Sequence, residues 1–458
     1  YPQSFVSLPD KKMENFYWAQ MYKLASATRI GGGLLDNSGP WQVLTPWPNA
    51  WWNLNVQLSY WSVYASNRLV LGMPLVNAIG SNLNNLINNV PEAYRKDAAA
   101  LPVATDFNLI GETVNIPGTE KKAQVGNLPW ICHNLWLQYR FSMDESILRN
   151  TIFPTLRRAI NFYLPFLKED KQGKLHLQRT FSPEYGIAED CNYDIALLRW
   201  GCNTLLETTK ILSIDDELIP RWKQVIEKLT DYPQDANGMM IGKDVPFSRS
   251  HRHYSHLLMF YPLYLLNAEQ NGSKELMEKS VEHWHSLPGN ILGYTYTGAS
   301  SLYAAFGEGD KALEKLNGLF ARTLRPNTMY MESGPVIETP LSGAQCIHDM
   351  LLQSWGGKIR VPSQWGDVQF QTLRTEGAFL VSASRKEGKT TGIRIKSLAG
   401  EPCILRTDMV NPIVKAGNVT LTPIGQGEYS LDLKKGETVV LTTAEENIPM
   451  ISPVNGKG

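Results

Sequence analysis

The hydrophobic period changes once along this chain, near Trp355, and that change constrains the fold more than any other feature. Before it, apolar residues recur every three or four positions, the spacing of one helix face. Met13, Tyr17, Met21 and Leu24 form such a stripe behind Asp10 and two lysines. Leu148, Ile152, Leu156, Ile160, Tyr163 and Leu167 form another, in which Pro154 and Pro165 are expected to act as kinks or breaks. The pattern predicts twelve helices, near 12–29, 53–70, 74–98, 129–142, 145–168, 190–211, 216–230, 252–267, 274–287, 294–306, 309–322 and 341–355. After Trp355, "VQFQTLRTEGAFLVSASRKEGKTTGIRIKSLAGEPCILRTDM" and "EYSLDLKKGETVVLTT" alternate apolar and polar, with turn residues between. Short strands at that spacing read as an antiparallel sandwich.

Twelve helices joined by short turns such as 307–310 and by long polar loops fit six antiparallel hairpins closed into a ring. The expected fold class is therefore mainly α. An (α/α)6 toroid spans 1–355, a linker 356–367, and a small C-terminal antiparallel β-sandwich 368–458. The long connections 30–52, 99–128, 169–189, 231–251 and 323–340 are expected at the mouth of the central funnel, because loops on a rigid scaffold carry function.

Composition removes several function classes. Lys plus Arg equals Asp plus Glu, 44 each, so neither nucleic acid nor an anionic membrane surface is favoured as a partner. No apolar run approaches the roughly 20 residues of a membrane span, so no membrane insertion is expected. The opening "YPQSFVSLPDKKMENFYW" has neither a basic region nor an apolar core, and it starts abruptly, as if an export signal or an upstream domain had been removed. Cys132, Cys191, Cys202, Cys346 and Cys403 are dispersed with no CxxC pair, which predicts buried free thiols rather than disulfides or structural zinc. "IGGGLLDN" at 30–37 lacks the lysine and the preceding strand of a phosphate loop.

The aromatic content is more specific. Residues 45–61, "TPWPNAWWNLNVQLSYW", set Trp47, Trp51, Trp52 and Trp61 beside Asn53, Asn55 and Gln57. Indole faces suit the apolar C–H face of a sugar ring, and amides suit its hydroxyls. Trp51 and Trp52 are the candidate stacking residues.

Three further stretches could do chemistry. In "TFSPEYGIAEDCNYD", 180–194, Glu184 follows a proline in a long loop, where partial desolvation would suit a carboxyl to proton donation. Asp194 lies nearby, and Asp190 could equally cap the next helix. "SRSHRHYSHLL", 248–258, gathers Arg249, His251, Arg252, His253 and His256. The arginines argue against a metal and for hydrogen bonding to a polyhydroxylated or anionic ligand, while His256 could be a packed histidine entering a helix. "YMESGPVIETPLSG" places Glu332 and Glu338 before the last helix, either as a cap or as the second carboxylate of a hydrolase. Inverting glycoside cleavage needs an acid and a base roughly 6.5–9.5 Å apart with water between.

These stretches together resemble the catalytic part of glycoside hydrolase family 95, the family of α-L-fucosidases and α-L-galactosidases. The segments that carry the likeness are "NLNVQLSYW", "SPEYG", "HRHYSHLLMFYP" and "ETPLSGAQCIHDMLLQS". The resemblance implies an inverting exo-glycosidase removing a terminal sugar from an oligosaccharide or polysaccharide. In it Glu184 is the general acid, Asn53 and Asn55 hold the catalytic water, and Glu338 polarises one amide. His251, Arg252 and His253 would bind sugar hydroxyls; Asp194 and Glu332, which lie near Glu184 and Glu338 in the chain, are further candidate substrate-binding residues outside that likeness. It implies no cofactor and no metal; members of the family usually carry an N-terminal β-sandwich ahead of the toroid, which this chain is expected to lack. Two departures stand out. The family's last loop usually reads Asp-x-Asn-Phe-Gly where this chain has Glu338-Thr-Pro-Leu-Ser, and its usual His two residues before the first asparagine is Trp51.

Two other classes fit the same residues. A uronan lyase could use His253, Tyr254, Asn53 and Arg252. A glycan-binding protein could have lost its catalyst at Glu338. A periplasmic or secreted location is expected, because intact glycans lie outside the cytoplasm.

Overall fold

The computed structural model describes residues 4–35, 37, 39, 47–331, 335–361 and 365–443. A helical region comes first: α1 Lys11–Ala27, α2 Asn55–Ala65, α3 Met73–Ser81, α4 Leu83–Asn88, α5 Asn127–Ser142, α6 Glu145–Ile147, α7 Phe153–Asn161, α8 Asn192–Leu212, α9 Ile219–Lys228, α10 Ser273–Ser286, α11 Gly293–Ala305, α12 Gly309–Arg322 and α13 Glu338–Leu351. A region of sheet follows.

The helices are of two kinds. α2, α5, α8, α11 and α13 are buried over most of their circumference, and in α2 every residue but Asn55 is buried. α9 and α12 bury a single stripe, Trp222 and Val225 in one, Ala312, Leu316 and Leu319 in the other. A helix apolar all round belongs inside a larger assembly, and an amphipathic one belongs on its outside. α2 packs on α13 and α5, and α11 packs on α12 and α13. At the start of α1, Asp10 accepts from the backbone N–H of Lys12 and Met13 at 2.8 and 3.1 Å, the N-cap its position predicts.

Three predicted helices are altered. The stretch 252–267 is not a helix: it forms one short turn at Ser255–Leu257 and then irregular backbone. Its apolar run is buried from every side, which mimics helical patterning, and Pro262 has no N–H to continue a helix. The 74–98 stretch breaks at Asn82 into α3 and α4. The 145–168 stretch carries a wider π-type turn at Leu148–Ile152 just ahead of Pro154, ends α7 at Asn161, and turns into a strand at Leu167–Glu169.

The sheet region has two sheets. One runs in the order Phe5–Ser7, Val368–Thr375, Phe379–Lys386, Lys389–Ser397, Thr438–Thr442, Ile413–Ala416. The other runs Lys358–Arg360, Cys403–Arg406, Glu428–Leu431, Leu421–Gly425. Apolar residues of both, including Val381, Ile395, Leu405, Leu431 and Leu441, join the buried core. Glu387 and Gly388 make the tight turn between two long strands, both with left-handed φ of 51° and 79°, as a two-residue hairpin turn requires. Three details depart from expectation. Residues 358–360, inside the expected linker, form a strand. That strand pairs in parallel with Cys403–Arg406, so the region is not wholly antiparallel. The first strand of the chain, Phe5–Ser7, pairs with Gln369–Gln371.

All five cysteines are buried and free. Among the described residues no helix is long and apolar enough to cross a membrane.

Candidate active site

The N-termini of α2, α11 and α13 converge at one end of the helical region. Asn55 is the first residue of α2, Tyr294 the second of α11 and Glu338 the first of α13. Asn55 Nδ2 donates to Glu338 Oε1 at 3.0 Å and to the Tyr294 hydroxyl at 3.0 Å, and that hydroxyl donates to the same Glu338 oxygen at 2.7 Å. Glu338 is fully buried. Helix N-termini favour negative charge, so this is where a buried carboxylate is least costly. A carboxylate can only accept, so the amide nitrogen of Asn55 must face Glu338 and the amide oxygen must turn away. The glutamate is longer than the family's aspartate, and it still reaches the amide.

Glu184 sits at the tip of a hairpin made by Thr180–Ser182 and Gly186–Ala188. The hairpin was not legible as strands, because three residues are too few to show alternation. The Tyr185 N–H closes its turn on the Ser182 carbonyl at 3.0 Å, and Glu184 adopts a left-handed φ of 55°. A non-glycine residue held there is usually fixed by its surroundings. Here the 247–253 segment braces the tip. Ser248 and Arg249 N–H groups donate to the Tyr185 hydroxyl at 2.7 and 3.0 Å, the Arg249 guanidinium lies over the Tyr185 ring at 4.5 Å, and His251 Nε2 meets the Pro183 carbonyl at 3.3 Å.

Glu184 is less enclosed than the sequence suggests. Its side chain is 39% exposed, with Arg252 Nη2 at 3.1 Å and His253 Nε2 at 3.3 Å from the same Oε2. The contacts orient the carboxyl without sealing it from water. His253 stacks on His251, ring centroids 4.9 Å apart, and meets Tyr294 edge-on at 5.8 Å. Burial, and then the Arg252 charge, hold His253 down to about 3, so it is a neutral imidazole. Burial, with His253 next, holds His251 at about 3 as well.

These groups share one cleft of about 350 Å³, lined by Asn37, Trp47, Trp51, Asn53, Asn55, Glu184, Arg252, His253, Tyr294, Val336 and Glu338. Four of the five long connections, or residues at their ends, supply that lining. The fifth supports it from behind, since Ala104–Thr105 pairs with Ala50–Trp51.

Several expected site residues lie elsewhere. Trp52 is fully buried and donates its indole N–H to Thr105 Oγ1 at 2.8 Å, so it is a core residue. Successive side chains of an extended segment point to opposite sides, so Trp51 faces the cleft and Trp52 the core. Asp194 is fully buried away from the cleft, accepting from Tyr163 at 2.7 Å and Thr180 at 2.6 Å. Burial pushes it up to about 7. Asp190 does not cap α8: it holds His176 Nδ1 at 2.6 Å. His251 backs His253 and is absent from the lining. His256 is buried against Phe247, ring centroids 4.5 Å apart. Glu332 lies outside the described residues. The sequence reading missed Tyr294, Asn37 and Val336. A tyrosine in "LGYTYTG" has no signature that sets it apart from the chain's other eighteen of nineteen.

Glu184, His251 and His253 each offer a metal-ligand atom, all within 4.8 Å of one another. The set fits an ion poorly. Arg252 already holds the carboxylate oxygen, and His251 Nε2 is engaged with the Pro183 carbonyl.

A second, larger cavity of about 550 Å³ lies at the opposite ends of α2 and α13, lined among others by Trp61, Tyr64, His133, Tyr261, Asp349, Trp355 and Glu376. Asp349 there accepts from Tyr261 at 2.9 Å, Ser301 at 2.7 Å and Gln345 at 2.8 Å.

The chain is 24% identical over 403 residues to alpha-L-fucosidase 2 of Arabidopsis thaliana, covering 80% of this chain and 47% of that protein. It is 21% identical over 379 residues to the probable alpha-fucosidase A of Aspergillus niger, covering 72% and 46%. It thus spans about half the length of the curated relatives it matches. Its fold is similar to that of a putative kojibiose phosphorylase from the human microbiome, at TM-score 0.60 and 11% identity over 97% of this chain and 68% of the other. An Aspergillus terreus alfa-L-rhamnosidase follows at TM-score 0.54 and 11% identity over 96% and 50%. Residues 7–351 match the Glycosyl hydrolase family 95 catalytic domain, and the chain belongs to that family.

Proposed function

We propose that this chain is the catalytic part of an inverting exo-glycoside hydrolase that removes a terminal α-L-fucose-like or α-L-galactose-like sugar from a glycan. One observation carries the reading: the buried Glu338 grips the amide nitrogen of Asn55 in the same aromatic-lined cleft that holds Glu184. Glu184 is the general acid. The amide oxygens of Asn53 and Asn55 hold the water. As that water attacks the anomeric carbon, the bond to the leaving oxygen breaks with its electron pair, and the Glu184 proton goes to that oxygen. The water's proton moves to Asn55 Oδ1 while an Asn55 N–H proton moves toward Glu338. An amide is a weak base alone, and the adjoining carboxylate supplies the drive. Trp47 and Trp51 offer ring faces to the sugar, and Arg252 with neutral His253 reaches its hydroxyls. No cofactor enters these steps.

The alternation of all-round buried and single-stripe helices supports an (α/α)6 toroid over about 1–355, followed by the sheet region. Balanced charge argues for a neutral glycan partner rather than nucleic acid, and a periplasmic or secreted site of action follows from that substrate. The lyase reading is disfavoured because Tyr254 is fully buried against Trp284, not in the cleft.

The test is a panel of aryl α-L-fucoside, α-L-galactoside, β-L-arabinoside and α-L-rhamnoside, with NMR of the first anomer released. Inversion, together with loss of turnover in a folded Glu184→Gln variant, is expected. Retention of configuration, or full turnover by that variant, would overturn the assignment.

A further inference from the structure

We propose that Tyr294 is a positioning residue for the Asn55–Glu338 pair: its single hydroxyl fixes which way the Asn55 amide points and shares the charge of Glu338. The inference rests on the glycosidase reading above and deepens it.

The argument starts from the amide. Asn55 has two N–H donors. Glu338 Oε1 and the Tyr294 oxygen each lie 3.0 Å from its nitrogen and 2.7 Å from one another, so both acceptors sit together on one side of it. With the nitrogen held there, the amide oxygen is left for the opposite side, where a water would lie. Without the tyrosine oxygen a single acceptor anchors the nitrogen, and the amide is free to swing about that one hydrogen bond. The second role is electrostatic. The Tyr294 O–H donates to the same Glu338 oxygen at 2.7 Å, shorter than the amide contact. A donor to the charged form favours that form. The third is structural coupling. The Tyr294 ring meets His253 edge-on at 5.8 Å and 81°, and His253 Nε2 lies 3.3 Å from Glu184. The ring therefore stands between the group that activates water and the group that donates the proton. The other titratable or charged groups lining the cleft are Glu184, Arg252 and His253.

Tyr294→Phe keeps the ring and removes only the oxygen. The expected result is a fall in kcat of about ten- to a hundredfold, the fold-change that corresponds to losing one hydrogen bond to a charged group. KM should stay close to that of the wild type, because the ring that faces the cleft is intact. The acid limb of kcat/KM should move to higher pH, since Glu338 loses a donor to its ionised form. Placing 3-fluorotyrosine at position 294, a stronger donor of the same shape, should move that limb to lower pH. A packing role alone would give no such pair of opposite shifts. The same directions should appear in the infrared carboxylate titration of Glu338, assigned by its loss in Glu338→Gln, a readout independent of turnover.

An acid limb and infrared titration unchanged in both Tyr294 variants would overturn the inference. The two failures are distinguishable. A wild type inactive on every glycoside is a failure of the glycosidase reading, while the infrared titration still decides the role of Tyr294.

Discussion

Helix α13 carries two buried carboxylates eleven residues apart, close to three turns and so on nearly the same face. Glu338, at its first turn, is held by Asn55 and Tyr294. Asp349, near its end, is held by Tyr261, Ser301 and Gln345. Both are buried, both are hydrogen-bonded, and both border a cavity, the rear one being the larger. They differ in what their partners present beyond the carboxylate. The hydroxyls at Asp349 are spent in donating to it, and the amide there, Gln345, has its own oxygen engaged by His348 Nδ1 at 3.2 Å. At Glu338, Asn55 donates with its nitrogen and still has a carbonyl oxygen for the cleft. On the proposed reading, then, burial and cavity size do not mark the reacting end; an outward-facing acceptor backed by a carboxylate does.

The contrast can be broken in several ways, the largest first. Glu338→Gln should lower kcat by about a thousandfold on whichever aryl glycoside the wild type cleaves, within the usual range for a lost base function. Asp349→Asn should leave kcat near that of the wild type, and a matching loss there would erase the distinction. Next is the core beside the cleft. Trp52→Ala should cost about 3–5 kcal/mol of stability in urea unfolding, as large aromatic truncations do.

A smaller effect separates the two ends by pH. Burial raises Asp349 from its ordinary 3.8 to about 6, so the folded state prefers it protonated. Stability from this group is fully present below about pH 4 and is lost as pH rises through about 6, by about 3 kcal/mol at most. Asp349→Asn should flatten that part of the curve, measured as unfolding free energy at pH 4.5 and 7.5. His251 and His253, held at about 3, act with the opposite sign. Their contribution is present above about pH 6.5 and is lost as pH falls toward 3. The smallest effect is at the cleft wall. Trp51→Ala should raise KM by about five- to tenfold, the scale of one aromatic face at about 1 kcal/mol, with little change in melting temperature.

What the sequence disclosed follows from the range over which each signal acts. Long periodic stretches such as α1, α8 and α12 were legible because burial on one face repeats many times. The cleft residues Asn53, Asn55, Glu184, Arg252, His253 and Glu338 were legible because four short stretches together carry a family likeness. The 252–267 segment misled because residues buried from all sides keep no period that tells helix from irregular backbone. Trp52 and Asp194 misled because nearness in sequence does not say which way a side chain points. Tyr294 was invisible because its role exists only where three helix ends meet.

The pairing of Phe5–Ser7 with Gln369–Gln371 has a consequence for synthesis. At about 5–20 residues per second, a ribosome needs on the order of tens of seconds to make the chain between the two strands. Throughout that interval the strand lacks its sheet partner, and contacts with the helical region, such as Phe5 against Trp18 at 6.1 Å between ring centroids, are all that is open to it. The helical half is thus made before the partner of that strand exists. A polypeptide cut at residue 355 would keep that strand permanently unmatched, and is expected to be insoluble rather than merely inactive.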